Sequence, residues 1–183
     1  MRAGTTADEA LAALAEVRVR LLGELERFDD ARFFTPPPGG GWGAAHVVEH
    51  LARVEGRIQQ GARKVIEHGS DYRPAWYDAL LKLPLKFRLV DGIRVRTVKG
   101  ADPLDDGAVK AFTRPQLMER LATVRAGTVA LLEETRARDL GRIYLRHPFF
   151  GAFPVRDFLA WAAWHEDRHR RQLTRVRVSL GLR

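Results

Sequence analysis

Four stretches of the chain repeat apolar residues at spacings of three and four, which is the period of an amphipathic α-helix. Each stripe would bury one face of its helix against neighbouring helices. Strand and helix patterns do not alternate along the chain, so we predict an all-α protein with the architecture of a four-helix bundle. The four predicted helices span about residues 6–29, 42–68, 113–138 and 155–179.

The connections between these helices differ in length. The sequence PPPGGG at 36–41 separates the first helix from the second, because no helix continues through it. Residues 70–112 form a long crossover insertion between the second and third helices; within it we expect a short helix over 76–87 and a small hairpin or plain loop over 89–98. A connector rich in Pro, Gly and Phe covers 141–154.

Length and composition restrict the class of protein. A chain of 183 residues with 45% hydrophobic residues predicts one domain, over 1–183, with its own core. The longest apolar run, Phe158–Trp164, is far too short to cross a membrane, and the N-terminal stretch lacks the apolar segment of a signal peptide. We therefore expect a cytoplasmic protein. Cysteine is absent, which excludes disulfides, a cysteine nucleophile and a zinc site with cysteine ligands.

Two of the six histidines have the spacing of metal ligands. His165 and His169 are four residues apart on the fourth helix, so their side chains project from the same face. Two ligands of one metal ion need this arrangement. The face they share is apolar, and there two imidazoles must be hydrogen-bonded, metal-bound or partly exposed in a cleft. The alternative is that both imidazoles are hydrogen-bonded to backbone or carboxylate groups and bind no metal.

A third histidine strengthens the metal interpretation. His50 lies on the apolar stripe of the second helix, and three inward histidines from two helices are hard to explain as packing. Three neutral imidazoles leave a divalent ion at least one open position, as in catalytic sites. His46 is also four residues from His50, so either or both could be ligands. His50 lies closer to the centre of the stripe and is the preferred one.

Further residues are candidates for the wall of a pocket. His147, in the connector, is either part of that wall or exposed on a loop. His46, Glu49 and Trp42 lie at the start of the second helix, close to His50, and are predicted pocket residues. His68 lies at a helix end, where it suits the helix dipole.

Two motifs of this sequence resemble the DinB/YfiT-like superfamily. Trp42 before the second helix, followed by the pair His50-Leu51, is similar to the signature of the family's second helix. The segment His165–His169, followed by Gln172, is similar to the signature of its last helix. The resemblance implies an up-down-down-up four-helix bundle, often a homodimer, with a divalent metal held by His50, His165 and His169.

The resemblance also implies a class of chemistry. Relatives in this superfamily include transferases that use the low-molecular-weight thiols bacillithiol or mycothiol. A metal ion stabilises the thiolate of an incoming thiol, which then attacks a small electrophilic substrate. A chain without cysteine fits a thiol brought by a cosubstrate. Zinc or nickel is the expected metal, with manganese and iron as alternatives.

The same ligands would serve a metal-dependent hydrolase, in which the ion activates water. That reaction favours a general base, for which Glu49, Glu55 and Glu166 are candidates by proximity in the sequence. The sequence does not separate the hydrolase from the transferase.

A nucleic-acid-binding protein is the alternative from a different class. The chain has 31 basic and 23 acidic residues, a net charge of +8, and the fourth helix carries several arginines. Arg170, Arg171 and Arg177 are predicted on its outer face, where a solvated surface is the ordinary role. No aromatic residues are interleaved with them as a stacking platform would require. Nucleic acid is therefore the less favoured partner.

Overall fold

The computed structural model describes residues 5–70, 72–81, 105–147 and 149–183, and four long helices form its framework. Their bounds are close to the predicted ones, and the four-helix bundle is confirmed. In chain order the elements are α1 (Ala7–Leu25), α2 (Asp30–Phe33), α3 (Ala44–His68), α4 (Asp78–Leu81), α5 (Asp106–Lys110), α6 (Arg114–Glu134), β1 (Tyr144–His147), β2 (Gly151–Pro154) and α7 (Val155–Ser179). Across the described ranges, every helix is too short or too polar to span a lipid bilayer.

Local sequence signals explain where the long helices begin. The Thr6 hydroxyl accepts a hydrogen bond from the backbone N–H of Glu9, and the Thr113 hydroxyl accepts one from Gln116; both form complete capping boxes. At the other end of α3, Gly69 adopts a φ of 84°, a conformation that favours glycine. The helix therefore ends directly after His68.

The long helices run up, down, down and up. Contacts between α1 and α7 advance together along both helices, from Arg18 with Glu166 to Glu24 with Arg177, so this pair is parallel. Early α1 shares a core cluster with late α3, whereas late α1 shares one with early α3, so these two helices are antiparallel. Helices α3 and α6 are parallel by the same reasoning, since their early residues share one core cluster and their late residues share the other.

Two apolar clusters fill the bundle, one towards each end. One contains Leu14, Ile58, Leu132 and Phe158, and the other contains Leu21, Val47, Leu121 and Leu173. The buried residues follow the stripes expected from the sequence. Polar side chains lie between the two clusters, and the candidate site is among them.

The structure differs from the sequence prediction in the connector before α7. Residues 144–147 and 151–154 form an antiparallel hairpin, in which His147 is paired with Gly151. Gly151 has a φ of 72°, which permits the turn. The carboxylate of Asp78 accepts a hydrogen bond from the N–H of Ala152, 3.1 Å away, and so ties α4 to the hairpin. Such a short hairpin is stable only because it packs on the bundle.

The predicted short helix over 76–87 corresponds in part to α4, which covers Asp78–Leu81. The remainder of that prediction, from residue 82 onward, lies outside the described residues. The predicted hairpin or loop over 89–98 also lies outside them.

Gly43 offers a test of the packing at the start of α3. A Cβ at this position would lie 2.8 Å from the carbonyl oxygen of Thr35, whereas a Cβ at Gly23 in α1 would meet nothing within 4 Å. We expect Gly43→Ala to lower the free energy of unfolding by about 1–3 kcal/mol. Gly23→Ala should raise it by about 0.5–1 kcal/mol, because alanine loses less entropy in a helix. Urea denaturation measures both, and equal effects would contradict the packing described.

Candidate metal centre

Three histidine side chains from two helices converge between the core clusters. His50 comes from α3, and His165 and His169 come from successive turns of α7. The Nε2 atom of His165 lies 3.3 Å from Nε2 of His50 and 3.2 Å from Nε2 of His169. One ligand atom from each residue lies within 4.8 Å of the other two. This spacing suits three ligands of a single ion.

A neighbouring glutamine orients one of the three rings. The Nδ1 atom of His169 lies 2.9 Å from Oε1 of Gln172, so the ring nitrogen donates and carries its proton there. The Nε2 atom of His169 is therefore unprotonated, and its lone pair is directed towards the other two histidines. Histidines that bind metals almost always hold their second nitrogen in this way.

Hydrogen bonding cannot satisfy the three facing nitrogens. A neutral His165 has at most one proton on Nε2, and it can be donated to only one of the two neighbouring Nε2 atoms. If His165 instead accepts from His50, its lone pair faces the lone pair of His169. In either case one of the two contacts carries no hydrogen bond, and a cation bound by all three nitrogens would replace both contacts. The donor set therefore fits a divalent ion.

The surroundings keep two of these imidazoles neutral. Burial lowers the pKa of His165 well below 6.5, and the charges of His169, His50, His147 and Arg168 lower it further. Burial also lowers the pKa of His169, again helped by the charge of His50. Neutral imidazole is the form that binds a metal. Both residues are therefore already in the ligand form at pH 7.

Two tryptophans flank the centre. Trp42 lies with its ring centroid 4.8 Å from His50 and 6.0 Å from His169. On another side, Trp161 stacks on His165 at 4.8 Å with an angle of 21° between the rings. These indoles cover the centre with apolar surface, which lowers the local dielectric.

A buried ion cluster lies next to the three histidines. Glu166 follows His165 in α7, and its carboxylate accepts hydrogen bonds from Arg18 of α1 and Arg125 of α6. Arg125 also makes a two-pronged contact with Glu55 of α3, at 2.7 and 3.1 Å. The cluster therefore joins all four long helices and contains two positive and two negative charges. We refer to Arg18, Glu55, Arg125 and Glu166 as the four-helix ion cluster.

Supporting hydrogen bonds complete this cluster. Arg125 donates to the carbonyl of Leu14, and the Thr128 hydroxyl donates to Glu55 at 2.7 Å. Burial on its own would lower the pKa of Arg125, but the hydrogen bond and charge of Glu55 and the charge of Glu166 outweigh it and raise the pKa. Arg125 is therefore charged in the folded state.

The contacts of Glu49, Glu55 and Glu166 bear on whether any of them could act as a general base. Glu55 and Glu166 face arginines and belong to the four-helix ion cluster, so their lone pairs are already engaged. Glu49 is almost fully buried and pairs with Arg53 at 2.6 Å. Within the described residues, all three carboxylates are paired with arginines.

The other predicted pocket residues occupy different places. His46 is buried on α3, and the described group of convergent ligand atoms contains His50 and does not contain His46. Trp42 lies against the centre. His147 is buried at the end of β1, where its ring centroid is 5.3 Å from that of Trp161. The exposed-loop alternative for His147 is therefore wrong.

Sequence reasoning missed several polar residues that the fold buries. Arg177 was expected on the outer face of the last helix, but it is buried and pairs with Glu24 at 2.7 Å. Arg170 and Arg171 are half-buried and pair with Asp167. Arg125 was missed although it lies on the inward stripe of α6, between the buried residues Leu121 and Thr128. Its position on that stripe was the available signal.

The fold and the three-histidine arrangement together define a class of metal-binding four-helix bundle proteins. The chain belongs to the DinB superfamily, whose family model matches residues 13–173. It is 21% identical over 165 residues to the uncharacterized protein YuaE of Bacillus subtilis (strain 168), with 90% of this chain and 95% of YuaE covered.

Solved structures support the same fold. The four-helix bundle protein TT2238 aligns with a TM-score of 0.51 and 25% identity, over 92% of this chain and 98% of TT2238. YfiT from Bacillus subtilis aligns with a TM-score of 0.55 and 20% identity, over 100% of this chain and 94% of YfiT. YfiT is described as a probable metal-dependent hydrolase with an unusual four-helix bundle topology.

The ion cluster can be tested by removing one charge. Arg125→Met leaves two buried carboxylates without their shared partner, so we expect the free energy of unfolding to fall by about 3–5 kcal/mol. The matched control is Arg63→Met, which removes an exposed ion pair with Glu134 and should cost less than about 1 kcal/mol. Urea denaturation at pH 7 compares them, and similar losses would show that the cluster does not stabilise the fold.

Proposed function

We propose that this protein is a metal-dependent enzyme in which His50, His165 and His169 bind one divalent ion through their Nε2 atoms. The observation that carries the proposal is the convergence of three Nε2 atoms whose two close contacts cannot both be hydrogen bonds. Three protein ligands leave an open position for a small molecule. Zinc or nickel is the proposed ion, with manganese or iron as alternatives.

We further propose thiol-dependent transfer to a small electrophile as the reaction. A bound ion of this kind lowers the pKa of a thiol that reaches its open position. Gln172 would fix the orientation of His169, and the two flanking tryptophans would exclude water. Because the carboxylates considered as general bases are paired with arginines, a nucleophile that needs no carboxylate base is favoured. A chain without cysteine supplies no competing thiol of its own.

Hydrolysis by a metal-activated water is the second candidate. It is favoured by the likeness to YfiT, a probable metal-dependent hydrolase. A small-molecule substrate is common to both reactions. The homodimer and the cytoplasmic location stay predictions. Nucleic-acid binding is the weaker proposal, since Arg177, Arg170 and Arg171 are engaged in ion pairs.

Elemental analysis of untagged protein tests the centre. We expect about one zinc or nickel ion per chain in the wild type, and most of it should be lost in His50→Ala, His165→Ala and His169→Ala. His68→Ala is the matched control, because this histidine is exposed at the end of α3. His46→Gln should keep the metal if His46 is not a ligand. Full metal content in all three ligand variants would overturn the assignment.

Cobalt substitution distinguishes the two reactions. If a thiol occupies the open position, 2-mercaptoethanol should produce a thiolate-to-cobalt charge-transfer band that saturates with concentration. The band should be absent from His165→Ala. Cobalt-loaded protein that gives no such band, but hydrolyses ester substrates, would favour the hydrolase.

A further inference from the structure

Besides the three candidate ligands and His46, one more histidine is buried near the metal centre. His147 is the last residue of β1 and is only 9% exposed. Its ring is surrounded by five aromatic rings with centroids 4.6–6.5 Å away: Phe149, Phe150, Phe153, Phe158 and Trp161. An imidazole in such apolar surroundings needs an explanation, because a phenyl ring would fill the space without a desolvation cost.

The turn of the hairpin fixes the tautomer of His147. Its Nδ1 atom accepts hydrogen bonds from the backbone N–H groups of Phe149, at 3.1 Å, and Phe150, at 3.3 Å. A nitrogen that accepts from two donors carries no proton, so the proton of the neutral ring is on Nε2. Burial lowers the pKa of His147 to about 4, so the ring is neutral at pH 7.

The resulting Nε2–H donor has no acceptor among the residues that the structure describes. Among the described residues, the fully buried polar atoms that lack a hydrogen-bond partner do not include Nε2 of His147, so this atom reaches the solvent-accessible surface. The turn uses only Nδ1, so it does not account for the second nitrogen. The Nε2–H group is therefore available for an acceptor from outside the chain.

The position of His147 indicates where that acceptor would bind. Trp161 contacts both His147 and the metal centre, since its ring centroid lies 5.3 Å from that of His147 and 4.8 Å from that of His165. Next to His147, the ring of Phe149 is 44% exposed. An exposed aromatic ring and a donor are thus linked to His165 through a single indole.

We propose that the Nε2–H of His147 donates a hydrogen bond to an oxygen of the molecule that binds at the three-histidine centre. The exposed ring of Phe149 would contact the apolar, ring-sized body of that molecule. This inference rests on the proposed function and adds the substrate class: an aromatic or similarly flat apolar compound with a carbonyl or carboxylate oxygen. His147 is in this view a residue that contacts substrate and determines specificity.

The chain offers matched variants for a test. His147→Asn keeps an acceptor close to the position of Nδ1, so the turn is retained, but it removes the donor at Nε2. His147→Gln can place an N–H group close to the position of Nε2. The measurement is the visible spectrum of the cobalt-loaded full-length protein, titrated separately with benzoate, acetate and azide.

We expect benzoate to bind the wild type more tightly than acetate does, because only benzoate has an apolar body. In His147→Asn the affinity for benzoate should fall about 5- to 30-fold, the loss typical of one hydrogen bond. His147→Gln should recover most of this loss. Azide, which is too small to need the aromatic wall, should bind wild type and both variants alike and so show that the open position is intact.

The outcomes separate this inference from the proposed function. If azide titrates normally but His147→Asn binds benzoate as well as the wild type does, the inference is wrong and the metal centre stands. Wild-type protein that responds to azide but shows no saturable binding of benzoate would also overturn it. If the wild type binds no cobalt, the proposed function fails, and the inference fails with it.

Discussion

The four-helix ion cluster is the constraint on which the rest of the structure depends. A buried arginine or carboxylate costs several kcal/mol unless it is paired, so each of the four residues fixes the position of its partners. Arg125 must meet Glu55 and Glu166 at once, and Arg18 must reach Glu166 from α1. Apolar side chains would tolerate a sliding of one helix along another, whereas these directional contacts do not. We regard the cluster as the element that sets the register of the bundle.

The metal centre depends on that register. Glu166 is the residue directly after His165, and Glu55 is on the same helix as His50. Because both carboxylates are hydrogen-bonded to Arg125, the axial position of α3 relative to α7 is fixed. The three Nε2 atoms can then converge without any loop contributing a ligand. A site built on rigid helices in this way is preorganised for its ion.

The cluster also shapes the chemistry beside it. Carboxylates close to a metal centre are ordinarily candidates for proton transfer, yet here Glu55 and Glu166 are neutralised by arginines and Glu49 by Arg53. Among the described residues, two indoles pack on the three histidines: Trp42 on His50 and His169, and Trp161 on His165. Such surroundings suit a nucleophile activated by the ion alone and a substrate with an apolar body.

The sequence by itself determined where the long helices lie and which histidines face inward. Apolar spacing and capping boxes are local properties, so the bounds of α3 and α7 and the start of α6 could be read directly. The same periodicity placed His50, His165 and His169 on inward faces, where an imidazole needs a hydrogen-bond partner or a metal ion. The hairpin at 144–154 was not predicted, because short strands are stabilised by packing on other elements and not by local pattern.

Only the tertiary structure decided which polar residues meet. The sequence places Arg125 on an inward stripe, but only the packed helices show that it pairs with Glu55 and Glu166. Arg177, predicted on an outer face, is buried because Glu24 of α1 packs against it. The choice of His50 over His46 in the convergent group, and the burial of His147 beside Trp161, likewise depend on contacts between elements distant in sequence. Periodicity determines which face of a helix is buried, but partners on other helices determine what a buried charge or imidazole does.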